Sequence, residues 1–255
     1  MKVTVVQLPE DQRYFEEAIM ALAEHVQAKK SQFLLLPEMP FHSWVAYDKP
    51  AQPAIWQAAV DAHTEWLSRL PSFGVDIIAG SKPVLENGSA YNDAFIFSAE
   101  GEQFLHRKYY LPDEPGFWEA SWYERAASPS FKAQKAGQTK VGAMICSDLW
   151  FGEHARGYAR QGVHLLINPR ATESGSVDKW LAGGRAAAVM AGAFCLSSNR
   201  YGEGRGFQWG GTGWIVNPDG EVLATTSEDE PFVTKEIDLT QAEKAKSTYP
   251  RYVKE

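Results

Sequence analysis

Cys146 closes the apolar run Val141-Gly142-Ala143-Met144-Ile145 and is followed by Ser147-Asp148, which places a thiol where a buried strand gives way to a turn and a helix. The unpaired N–H groups of a helix N-terminus favour a thiolate and can hold an oxyanion, so this is a position for a nucleophile. A cysteine used as a small buried hydrophobe fits the same place, and Cys195, inside Ala193-Phe194-Cys195-Leu196, reads that way. Glu38 follows the run Leu34-Leu35-Leu36-Pro37 directly, at the end of a strand expected to be buried on both faces. Strand ends are where open α/β sheets place their sites, and a partly desolvated carboxylate there has the raised pKa that a general base or acid needs. The bland alternative is a glutamate that caps a loop.

Lys108, in His106-Arg107-Lys108-Tyr109-Tyr110-Leu111-Pro112, and Glu119, in Phe117-Trp118-Glu119-Ala120, are weaker signals taken singly, since most lysines and glutamates are solvated surface charges. The strength lies in the set of four. A cysteine paired with a histidine base is the rival arrangement: His154 stands eight residues beyond Cys146 and His164 lies in the next strand, and neither spacing is diagnostic. There is no HExxH, no clustered His/Cys set and no calcium loop. The glycine-rich stretch Gly202 to Gly213 lacks the Lys-Ser/Thr of a phosphate loop, so neither a metal nor a nucleotide site is expected. Trp44, Trp118, Trp122, Trp150 and Trp209 are candidates for a pocket lining, with at least half of them expected in the core. Arg170, after Asn168-Pro169, has the planar fork that pairs with a substrate carboxylate or equally with an internal partner, and Glu153 fits a helix cap.

The elements that must position these groups alternate between short aliphatic runs and longer amphipathic stretches. Val3 to Gln7 and Phe33 to Leu36 read as strands around a helix from Asp11 to Lys30, whose Phe15, Ala18, Ile19, Leu22 and Val26 share a face. Ala54 to Leu70 reads as a second helix and Val75 to Ala79 as a strand, followed by a hairpin of Asn92 to Phe97 with Gln103 to Arg107. Val141 to Ile145, Glu153 to Gln161 and Val163 to Ile167 repeat strand, helix, strand. Asp178 to Ala193 reads as a helix, and a hairpin of Gly213 to Val216 with Glu221 to Thr225 turns at Asn217-Pro218-Asp219-Gly220. Hairpins mixed with strand-helix-strand units suggest two sheets packed face to face with helices outside.

The chain has 255 residues, 44% hydrophobic and 22% charged, which permits one substantial core over residues 1–255, with polar 239–255 as a surface arm or a strap over another subunit. A net charge of -7 without a Lys/Arg-rich run argues against nucleic acid. No window approaches a membrane span and the N-terminus lacks the apolar run of a signal peptide. Two distant cysteines suit a reducing cytoplasm.

Read in order, Leu-Leu-Leu-Pro37-Glu38, then Arg107-Lys108-Tyr-Tyr-Leu-Pro112 with Gly116-Phe117-Trp118-Glu119, then Ile145-Cys146-Ser147-Asp148, resembles the nitrilase superfamily of carbon-nitrogen hydrolases. Tyr91-Asn92, Ile167-Asn168-Pro169, Ser198-Asn199-Arg200 and Asn217-Pro218-Asp219-Gly220 extend the resemblance over nearly the whole chain. It implies a four-layer αββα sandwich, a homodimer or higher homo-oligomer, and no cofactor. It also implies Cys146 as nucleophile, Glu38 as general base and acid, Lys108 with the Ser147 N–H as oxyanion stabilisers, and Glu119 as a supporting glutamate. Trp118, Ser147, Trp150 and Arg170 are then the expected substrate contacts. The stretch Arg107 to Glu119 looks most like the N-carbamoyl-amine and ureido amidohydrolase branch. Ser147 departs from it where Trp is usual, Gly152 where Pro is common, and Met190-Ala191 where a Glu-Asn pair is usual. The implied activity is hydrolysis of a small linear amide or N-carbamoyl compound through a thioester. A nitrilase using the same residues and a catalytically inactive binding subunit are the alternatives.

Overall fold

The computed structural model describes residues 1–253. In chain order the elements are β1 (Lys2–Pro9), α1 (Gln12–Lys29), β2 (Phe33–Leu35), α2 (Pro53–Arg69), β3 (Ile77–Glu86), β4 (Ser89–Ser98) and β5 (Gly101–Arg107). There follow α3 (Glu119–Trp122), β6 (Gln134–Ala136), β7 (Thr139–Ala143), α4 (Gly152–Gln161), β8 (Leu165–Pro169), α5 (Val177–Ala191) and β9 (Phe194–Gly204). The chain ends through β10 (Phe207–Gly210), β11 (Trp214–Val216), β12 (Val222–Thr225), β13 (Phe232–Glu236) and α6 (Thr240–Ala245).

Strand side chains alternate between faces, and that period of two builds the layers. Val3, Val5, Phe33, Leu35, Ile77 and Ala79 point into a core shared with Val141, Ala143, Leu165 and Ile167 of the other half. Their neighbours Val6, Leu8, Leu34, Leu36 and Ile78 point outward, onto Phe15, Ile19, Leu22 and Val26 of α1 and Leu67 of α2. One half therefore runs β13-β1-β2-β3-β4-β5 and the other β6-β7-β8-β9-β11-β12, with β10 on β9. They join where Gln7, Leu8 and Pro9 of β1 pair with Asn199, Arg200 and Tyr201 of β9. On the far side α4 and α5 pack closely: a Cβ on Gly142 would meet the Tyr158 ring at 2.7 Å, and one on Gly184 the Trp214 ring at 2.8 Å. The result is the expected four-layer αββα sandwich.

One stretch differs from the sequence reading. The strands expected to end at Ala79 and begin at Asn92 continue outward as one long ribbon that turns at Asn87-Gly88, both at positive φ (52° and 85°). That is the backbone an Asn-Gly hairpin turn demands. The turn expected after Cys146 is a 3-10 turn, Cys146–Trp150, and the helix expected from Glu153 to Gln161 is α4, starting at Gly152. At the C-terminus, α6 and the residues after it dock on their own chain. The Lys246 ammonium donates to the carbonyls of Val163, Ala191 and Gly192 at 2.6, 3.0 and 2.5 Å, capping the ends of α4 and α5. The last two positions of the expected arm, 254 and 255, lie outside the described residues. No helix among the described residues is long and apolar enough to cross a membrane.

Candidate active site

β2, β5, β7 and β8 all point their C-terminal ends the same way, because β1, β2 and β3 are parallel, β4 and β5 double back in turn, and β7, β8 and β9 are parallel. Glu38 follows β2, Lys108 follows β5 and Cys146 follows β7, so topology alone gathers them at one end of the sandwich. Glu119 opens the short helix α3 and joins them. All four are buried, Cys146 at 4% exposure and the other three at 0%.

Lys108 is the hub. Its Nζ lies 2.8 Å from Glu38 Oε1 and 2.5 Å from Glu119 Oε2. Glu38 Oε1 also accepts from Asn92 Nδ2 at 2.8 Å, and Glu119 Oε2 accepts from the Tyr123 hydroxyl one turn further along. The second oxygen of each carboxylate, Glu38 Oε2 and Glu119 Oε1, is buried without a protein partner. Unmet buried acceptors are costly, and at a reaction centre they are free to take a proton or an N–H from what binds there.

Burial draws the Lys108 ammonium down, but the Glu119 and Glu38 carboxylates outweigh it and hold the lysine well above its ordinary value. Burial pushes Glu119 up to about 7, with Lys108 opposing and Glu38 reinforcing. Burial, and then the Glu38 charge, push the Cys146 thiol well up, against the pull of Lys108 and of the Ala171 N–H that faces the sulfur. This corrects the expectation of a helix N-terminus favouring a thiolate: the next α-helix along the chain starts six residues on, and the surroundings favour the neutral thiol.

The segment carrying Cys146 is held under strain. Cys146 has φ 44°, in the left-handed region that non-glycine residues avoid, at a cost of about 1–3 kcal/mol. Asn168 Nδ2 fixes it from β8 by donating to the carbonyls of Met144 (2.5 Å) and Cys146 (3.2 Å). The Glu38 loop is fixed in a similar way. Arg200 donates to the Glu38 carbonyl from Nε (3.3 Å) and Nη2 (3.1 Å), and to the carbonyl of Met39, while pairing with Glu10 at 2.5 Å.

A cavity of about 240 Å3 opens beside the thiol, lined by Glu119, Cys146, Ser147 and Trp150, with Phe117 and Trp180 as aromatic walls and Glu114, Glu173 and Lys179 among its charged groups. Of the expected substrate contacts, Ser147 and Trp150 line it. Trp118 does not: it packs with the aromatic cluster around Trp44 and carries the Lys49 ammonium 3.6 Å from its ring centroid. Arg170 is committed internally, donating to Ser197 Oγ, Thr172 Oγ1 and the Thr212 carbonyl at 2.8 Å each, with its guanidinium 4.0 Å over Trp214. Trp44, Trp122 and Trp209 are core. His154 bonds the Tyr110 hydroxyl and stacks on Phe131, and His164 accepts from the Lys140 N–H, so both are engaged away from the thiol. No group of three or more His, Cys, Asp or Glu among the described residues could hold a metal.

The sequence reading gave no role to Asn92, Asp148 or Arg200, although each stands inside a stretch that carried the resemblance. Their roles come from register between distant strands, which spacing does not reveal.

A strained, buried thiol beside a lysine clamped between two carboxylates, at the strand ends of an αββα sandwich, defines a class of protein whose centre is equipped for covalent acyl chemistry. The chain belongs to the carbon-nitrogen hydrolase family, which it matches over residues 2–247. It is 30% identical to the chloroplastic omega-amidase of Arabidopsis thaliana over 89% of this chain and 64% of that protein. It is 31% identical to the N-carbamoylputrescine amidase of Solanum lycopersicum over 58% of this chain and 54% of that protein. The chain thus spans less than two thirds of the length of these two relatives. Against an omega-amidase of Xenopus tropicalis it is 30% identical over 86% of this chain and 80% of that protein. The fold is similar to that of a carbon-nitrogen hydrolase from Helicobacter pylori, with a TM-score of 0.87, 23% identity, and coverage of 99% of this chain and 94% of that one.

Proposed function

We propose that this protein hydrolyses the C–N bond of a small linear amide or N-carbamoyl compound through a thioester on Cys146. The observation that carries the reading is the buried Lys108 ammonium held between Glu38 and Glu119, with Glu119 and Cys146 both lining the same cavity. In the resting site the thiol is neutral and Glu38 Oε2 is an open acceptor, so the thiol proton passes to Glu38 as the sulfur attacks the carbonyl carbon. The carbonyl oxygen gains the electron pair and is stabilised by Lys108 Nζ and the Ser147 N–H. As the tetrahedral adduct collapses, the C–N bond breaks and Glu38 returns its proton to the departing nitrogen. Water, deprotonated by the same carboxylate, then attacks the thioester, releasing the acid and restoring the thiol.

The cavity's size supports a small substrate, and the names of the relatives support amides and N-carbamoyl amines. The test is ammonia release from a panel of short linear amides, N-carbamoyl amines and nitriles. Release from one of the first two classes, abolished by Cys146→Ala in a folded protein, is expected. Turnover of nitriles alone, or undiminished turnover by the variant, would overturn the reading.

A further inference from the structure

Behind the nucleophile lies a second buried charge centre that the reaction scheme does not use. Asp148, fully buried, accepts at Oδ1 from the N–H groups of Tyr109 (3.2 Å) and Tyr110 (3.0 Å), and at Oδ2 from the Ile145 N–H (3.1 Å) and His106 Nε2 (2.9 Å). Tyr109 and Tyr110 directly follow Lys108, Ile145 directly precedes Cys146, and His106 lies two residues before Lys108. One carboxylate therefore ties the segment carrying the ammonium to the segment carrying the thiol, across the two halves of the sandwich.

The second ring nitrogen of His106, Nδ1, faces the Ser130 carbonyl at 3.2 Å. Both ring nitrogens thus face acceptors. A carbonyl has no proton to give, and an Asp148 that receives four donors is the carboxylate, so a histidine that satisfies both partners carries two ring protons. At 1% exposure, with the Phe131 ring 4.3 Å away, the resulting ion pair is shielded from water. A buried ion pair of this kind adds little net stability, but it fixes geometry, because removing either member strands the other.

We propose that His106, as an imidazolium, and Asp148 are positioning residues that set the separation of Lys108 and Cys146. For its effect on turnover this rests on the hydrolase reading above; the protonation state and the alignment of the thiol do not. Displacing a reacting group by about 1 Å costs on the order of 100-fold in rate. His106→Phe, which keeps a ring against Phe131 but loses both donors, is expected to lower kcat per folded site by about 10- to 100-fold with KM within about twofold. His106→Gln, which keeps a neutral donor, is expected to fall between it and the unmodified protein.

Two readouts need no substrate. Nitrogen-15 NMR of the histidine rings should show protons on both His106 nitrogens at neutral pH, and iodoacetamide should alkylate Cys146 at a rate that differs from wild type in His106→Phe when folded protein is compared. A single ring proton on His106, or a folded His106→Phe variant with unchanged alkylation rate, would overturn the proposal. If the wild-type protein turns over no amide or N-carbamoyl compound while both readouts come out as expected, the clamp stands and the hydrolase reading falls.

Discussion

Each of the two carboxylates at Lys108 leaves one oxygen open and the thiol beside them is held neutral, which in the proposed mechanism is a centre at rest with its proton acceptor in place. Lys108 is the cation that keeps two buried carboxylates together, and in the proposed mechanism it also holds the developing oxyanion. Lys108→Ala is accordingly expected to do two things at once. It should cost about 3–5 kcal/mol of stability by stranding Glu38 and Glu119. It should also lower kcat of the protein that still folds by about 100- to 1000-fold, with KM less affected. Denaturation curves alongside kinetics normalised to folded protein separate the two. Glu119 has a folded-state pKa near 7, above its ordinary 4.5, so its ionised form weakens the fold. That penalty is absent at pH below the ordinary value and is fully developed once pH has risen through about 7. Glu119→Gln, which cannot ionise, should therefore show a Tm that varies less with pH between roughly 5 and 8 than the wild type. An identical pH profile would mean that Glu119 titrates like an ordinary carboxylate.

At the scale of elements, the Glu38 loop depends on a helix whose role in the site the sequence concealed. His63, on α2, is fully buried; its Nδ1 donates to the Ala59 carbonyl at 2.7 Å and its Nε2 accepts from the Phe41 N–H at 3.3 Å, three residues past Glu38. Burial lowers its pKa from 6.5 to about 3, so folding holds it neutral. The contribution is complete above 6.5 and is lost as pH falls from there toward 3, where the unfolded chain takes up a proton that the folded one refuses. His63→Leu should cost about 1–3 kcal/mol at neutral pH by orphaning the Phe41 N–H, and should flatten the acid side of the stability profile. Acid unfolding with the same slope in both proteins would place the sensitivity elsewhere. The strands and helices that carry chemistry were legible because their apolar periods are clean and their ends coincide with Glu38, Lys108 and Cys146. The outer β3–β4 ribbon was not, since Lys82, Pro83 and Glu86 break the alternation in a half-exposed pair of strands, although Asn87-Gly88 carried a usable turn signal.

Across the whole molecule, the site sits on the seam of the sandwich. Glu38, Asn92 and Lys108 come from one half and Cys146, Asp148 and Asn168 from the other, and the Glu38 N–H crosses between them to the Arg170 carbonyl at 3.2 Å. The four residues proposed for catalysis were readable as a set along the chain; Asn92 and the His106–Asp148 pair, proposed to align them, emerge only when the two halves close. Trp118 and Arg170 were misplaced for the same reason, because a side chain next to a motif in sequence can be spent on the core once the layers meet. The thioester itself is the most direct object of measurement. Rapid quenching during turnover of a short amide or N-carbamoyl amine, followed by intact-protein mass spectrometry and peptide mapping, should find the acyl group on the peptide containing Cys146 and none in Glu38→Gln. Turnover that proceeds with no acyl mass on Cys146 at any quench time, and that survives Cys146→Ala, would contradict the covalent mechanism.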